Sequence, residues 1–199
     1  MANGNSGMGL FLLVMAIFMG LLTRYCWKDL RSRQAWMVTL VPEALKLYLP
    51  AGRSIAHQLS TIHKDIRLDE IARIEKRLEA YRSLGMVNML RSYALKLKTG
   101  EVIILGEDRA LGTALRNEKL AKKMLPITSH AGLGIHDLGM VEGNGGILGI
   151  FNVEPPPWDA PSLGAKKQAD LWRRAELTGS LTFTAVVVVL GTMVLFSFI

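Results

Sequence analysis

The sequence predicts an α+β domain carried between two membrane-spanning helices. Three observations predict it. All 24 Lys and Arg and all 17 Asp and Glu fall between Arg24 and Glu176. The stretches on either side are uncharged and strongly apolar. Within the charged middle, apolar and polar residues alternate with a period of two before giving way to a helical stripe.

The middle segment of about 150 residues is long enough for one domain with its own core. The net charge of +7 belongs wholly to it. A basic balance beside apolar spans points to an anionic leaflet before nucleic acid. Nucleic-acid binding is the weaker expectation because only Tyr81 and Tyr93 stand near the basic residues as stacking candidates. The single cysteine, Cys26, excludes an intrachain disulfide and fits a reducing compartment.

Residues 7–23 are uncharged, at the lower limit for crossing a bilayer core at about 1.5 Å per residue. A cleaved signal peptide is the competing reading. No Lys or Arg precedes the run and no small-x-small site follows it, so a retained span is favoured. Tyr25 and Trp27, set among Arg24, Lys28, Arg31 and Arg33, read as interfacial anchors.

Residues 36–49, WMVTLVPEALKLYL, alternate on both sides of Pro42-Glu43 and predict a hairpin. Residues 69–84 fit two periods. Leu68, Ile71, Ile74, Leu78 and Tyr81 recur at helical spacing, whereas Arg73, Glu75, Arg77 and Glu79 alternate in sign at every second residue. A helix would stack like charges at i,i+4, at a few tenths of a kcal/mol per pair. A turn at 68–71 followed by a strand avoids this, with the charges as a solvated stripe. Residues 93–105, YALKLKTGEVIIL, predict a second hairpin around Thr99-Gly100. Residues 110–124 carry an apolar stripe with Lys122 and Lys123 near the end, predicting a helix stopped by Pro126. Residues 126–165 read as a Gly/Pro-rich connector: seven glycines fall in 131–149, and Pro155-Pro156-Pro157-Trp158 is a stiff spacer. Residues 166–180, with Lys166, Lys167, Arg173, Arg174 and Trp172, predict a basic interfacial helix that feeds a second span over 181–199.

This order of hairpin, strand, hairpin and helix, with L-D-E-I-A-R-I-E at 68–75 and L-K-T-G-E at 97–101, resembles the bacterial pleckstrin-homology-like (PH-like) domains over residues 36–125. The resemblance implies an antiparallel β-barrel or roll closed by a C-terminal helix. It also implies a binding or assembly module and not a catalyst. Residues 54–64 are extra length relative to that pattern.

No cofactor, metal or catalytic residue is expected. Gly143-Asn144-Gly145-Gly146 lacks both the glycine spacing and the following helix of a phosphate loop. His57, His63, His130 and His136 fall in two i,i+6 pairs, which suits neither a helix face nor a close metal spacing. His136-Asp137 has no nucleophile beside it. Asp69, Glu70, Glu75 and Glu79 sit among basic residues and read as surface charge. Cys26 reads as an inert interfacial thiol, with S-acylation as the alternative.

The basic flanks follow the first span and precede the second. The positive-inside rule then puts the domain in the cytoplasm of a bacterial inner membrane, with both termini periplasmic. The functional expectation is an accessory or assembly subunit of an integral membrane protein complex. The alternative is a regulatory module that senses anionic lipids of the cytoplasmic leaflet.

Overall fold

The computed structural model describes residues 5–109, 118–146 and 153–197. Helix α1 (Asn5–Ala35) leads into β1 (Met37–Val41), β2 (Ala44–Leu49) and, after a 3-10 turn at Ala51–Arg53, β3 (Ile62–Arg67). A second 3-10 turn, Leu68–Glu70, opens β4 (Ile71–Ser83), followed by β5 (Met86–Leu97) and β6 (Val102–Arg109). Helix α2 (Lys119–Ala131), β7 (Ile135–Asn144) and α3 (Ala165–Ser197) complete the described chain. The strands form a three-stranded sheet, β1-β2-β3, and a four-stranded sheet, β6-β5-β4-β7.

Both hairpins form where alternation places them. Met37 pairs with Tyr48 across the Pro42-Glu43 turn, and Lys96 with Val102 across the second turn. The ambiguous stretch 69–84 resolves into a short turn and then a strand. It pairs with β5 around Leu84-Gly85, whose φ angles of 47° and 81° are both positive, as a two-residue hairpin turn demands.

Three elements differ from expectation. The helix expected over 110–124 is described from Lys119, and it runs through Pro126 to Ala131; 110–117 lie outside the described residues. A mid-helix proline costs about 3 kcal/mol. Here Ala121, Met124 and Ile127 are buried in the core and offset that cost, so the helix ends only at Gly132, with φ of 65°. The connector over 126–165 contains a strand. β7 lies parallel to β4, with Gly139 at the irregularity between Lys76 and Leu78 of the register. Glycines had masked its alternation. The third difference concerns the two spans.

Among the described residues, no helix is long and apolar enough to cross a membrane. The α+β class stands, but the flanking transmembrane helices at 7–23 and 181–199 are not supported. The inner-membrane location and the two-pass topology built on them fall with the spans. The expected spans are the apolar portions of longer helices that continue into charged sequence. A span requires roughly 20 consecutive apolar residues, and no stretch of the described helices meets that length and apolarity.

The main core joins the two sheets and α2: Leu45, Leu47 and Leu49 of β2 meet Ile74, Leu95 and Leu105, with Met124 and Ile127 closing one side. A second cluster, Leu78, Ala80, Val87, Met89 and Met140, is covered by Leu171 and Ala175 of α3. The same face of β4 thus serves both clusters, while its opposite face carries charges. Leu95 is fully buried. Leu95→Ala is expected to lower unfolding free energy by about 2–5 kcal/mol in urea titration, with little change in the dependence on denaturant.

Candidate functional site

Beyond Arg73, whose side chain stays part exposed, the charged stripe of β4 is not solvated. Glu75, Arg77 and Glu79 are 1%, 1% and 0% exposed. β4 is an inner strand, so neighbouring strands flank it. On this face it is also covered by two stretches without regular structure, 54–57 and 153–158.

Arg77 uses its whole fork. Nε donates to Glu79 Oε1 at 2.7 Å, Nη1 to the Pro157 carbonyl at 2.6 Å and Nη2 to the Pro156 carbonyl at 2.9 Å. The guanidinium also stacks 4.2 Å from the Trp158 ring centroid, and Trp158 Nε1 donates to Glu75 Oε2 at 2.6 Å. The Pro-rich spacer is therefore a strap pinned across β4. Glu79 further receives the Tyr81 hydroxyl at 2.5 Å and faces His57 Nε2 at 3.0 Å. Burial pushes the Glu79 pKa up, but His57, Arg77 and Tyr81 more than offset this, and it ends below the ordinary value. Burial and the adjoining carboxylate raise that of Tyr81 far above the usual phenol range.

A second carboxylate anchors the other side. Glu107 of β6 accepts from Ser54 Oγ at 2.5 Å, from the Ile55 amide at 2.9 Å and from Arg109 Nε at 2.5 Å. Arg109 continues to Asp29 of α1, which also pairs with Arg33 at 2.7 Å. Between these two networks lies a cavity of about 430 Å³, walled by α1, residues 55–56, the Leu90 end of β5 and Val153. Tyr81 joins the cavity wall to the Glu79 network.

No family model, curated protein or solved structure matches this chain.

The expected site residues are dispersed. Arg24, Tyr25, Trp27, Lys28, Arg31 and Arg33 lie along exposed positions of α1, with Arg31 5.3 Å over the Trp27 ring. Lys166, Lys167, Arg173 and Arg174 are exposed on α3, while Trp172 packs against the cluster beneath that helix. Lys167 pairs with Glu142, and Arg173 and Arg174 both pair with Asp170. Of the eight basic residues, Arg33 alone reaches the cavity wall. His136 and Asp137 sit on β7, where Asp137 faces Lys76 at 3.5 Å. Among the described residues, no three His, Cys, Asp or Glu side chains converge as a metal ion would need.

Sequence reasoning gave Glu107 and Arg109 no role, set His57 aside as a metal ligand, weighed Tyr81 only as a stacking candidate and took Trp158 only as part of a spacer. One signal was present: Trp158 directly after three prolines is an aromatic on a stiff arm, suited to stacking on a cation. The buried fate of the β4 charges had no local signal, because it depends on segments 22 and 80 residues away.

Arg77→Ala is expected to cost about 3–5 kcal/mol, since it strands a buried carboxylate and two carbonyls. Amide exchange in residues 153–160 should accelerate with it. Glu79 also sets a pH dependence. Its folded pKa is depressed, so its stabilisation is complete above the ordinary value of 4.5 and is lost as pH falls below it. Unfolding free energy should fall as pH drops below about 4.5, and less steeply in Glu79→Gln, with Glu75 contributing a residual slope of the same sign.

Proposed function

We propose that this chain is a non-catalytic accessory or assembly subunit, docking through the apolar stretches of α1 and α3 onto helices of a partner protein complex. One observation carries the reading. Successive α1 side chains Leu12, Leu13 and Val14 are 57%, 57% and 56% exposed, so no single face is covered. Val186, Val187 and Val188 repeat the pattern on α3. A helix apolar on all sides belongs in an interior, and the described residues supply none for these segments.

The central domain supports a holding role. Its buried ionic groups are saturated by partners of this chain, and Glu79 and Arg77 present almost no surface for a reaction. A PH-like domain remains the fold reading that accompanies this function. Two sheets followed by a helix support it, and the parallel β7 departs from its antiparallel pattern.

The test replaces Leu13, Ile17 and Phe18 together with Gln in the full chain. These side chains are exposed, so the unfolding midpoint should stay within about 2 °C. Native-size analysis of the complex recovered with tagged chain should show a defined partner that is lost on this substitution. Recovery of the unsubstituted chain as a lone monomer overturns the reading.

A further inference from the structure

We propose that the cavity beside α1 binds a small amphipathic carboxylate, its apolar body inside and its head group on Arg33. This goes beyond the docking role, because it uses residues 25–33 of α1 and not the apolar stretch before them.

The cavity of about 430 Å³ falls in the range of small-molecule sites. Ile55, Ala56, Val87, Met89, Leu90 and Val153 supply an apolar wall. Polar groups gather at the α1 side: Tyr25, Asp29, Arg33 and Arg109. This is the division an amphiphile requires, one end apolar and the other able to bind a head group.

The walls are held open by bonds made elsewhere. Tyr81 is fixed by its hydroxyl on Glu79. Arg109 is fixed by Glu107 and Asp29, and Nη2 reaches the Gly52 carbonyl at 3.3 Å. Side chains so tied cannot fold inward to fill the space, so the site is preorganised.

The sign of the head group follows from the donors left on the wall. Asp29 and Glu107 together balance Arg33 and Arg109 in charge, so the pull on an anion comes from arginine donors that no carboxylate has taken. Arg109 has committed Nε, Nη1 and Nη2. Arg33 gives only Nε to Asp29, and its terminal nitrogens have no partner among the described residues. A planar fork with two such donors suits a carboxylate. Tyr25 adds a hydroxyl on the same side.

Isothermal titration of the full chain with decanoate, decanol and decylammonium, each below its micelle concentration, tests the proposal. The expected result is one saturable decanoate site, about tenfold tighter than decanol, with decylammonium weakest. Arg33→Gln should bring decanoate to the level of decanol. Its side chain is half exposed, so the fold should survive. Ala56→Phe should weaken all three by narrowing the cavity; if that variant does not fold, the Arg33→Gln comparison alone decides. Equal affinity for the three head groups overturns the proposal. So does an absence of saturable binding, or uptake of many molecules that Arg33→Gln leaves unchanged, as partition onto the apolar helices would give.

Discussion

The Arg77–Glu79 pair on β4 is the constraint on which the rest of the domain depends. Two charges two residues apart on one strand face share a single buried environment. Removing them from water costs several kcal/mol each, and their mutual attraction returns that only when every remaining donor and acceptor is engaged. The structure meets this condition by bringing in other segments. The carbonyls of Pro156 and Pro157, the ring of Trp158, the imidazole of His57 and the hydroxyl of Tyr81 complete the shell. Two stretches without helix or strand of their own thereby acquire one fixed position. The pair specifies arrangement more than it adds stability, since an apolar replacement of equal volume would leave the strap and the His57 loop without an address.

The same device is used at β6. Glu107 gathers Ser54, the Ile55 amide and Arg109, and Asp29 extends the chain of charges to α1. Arg53 secures the neighbouring loop by donating to the carbonyls of Ile104, Pro50 and Ser60. Burial without a carboxylate partner lowers the Arg53 pKa to about 10. Helix α1 is thus joined to the sheets through the Asp29–Arg109 pair as well as through packing at the Ala51–Arg53 turn. Asp108 performs a related task for α2. It accepts the Leu120 amide at 3.1 Å and the Tyr93 hydroxyl at 3.0 Å, where Glu118 supplies no side-chain cap.

The hairpins were legible because alternation is a local code: Tyr93, Leu95 and Leu97 need only a neighbouring strand to bury one face. The strand over 71–83 was legible on electrostatic grounds, since a helix would have stacked Arg73 on Arg77 and Glu75 on Glu79. The burial of those charges was not legible. A carboxylate on a strand carries the same letter whether water or a proline strap lies over it. Likewise β7 hid behind Gly139 and Gly143, because a parallel partner and an irregular register leave no period in the sequence. The spans were over-read from the uncharged ends. Charge absence marks an apolar stretch, while crossing a membrane further requires an uninterrupted length that the described helices do not provide.

The cavity and the exposed helices share walls. α3 is seated on β5 through Leu171 and Ala175, and Thr178 Oγ1 accepts the Val87 amide at 3.1 Å. Ala175 and Val87 both line the cavity, as do Tyr25 and Asp29 of α1. A body that grips both apolar helices therefore acts on two walls of one space. A ligand in that space acts on the bases of both helices. If the two events differ in the helix spacing they favour, each must alter the affinity of the other by the same factor, because linkage between binding sites is reciprocal. Arg109, bonded to Asp29 on α1 and to Glu107 on the sheet, is the side chain through which such a difference in spacing would be felt.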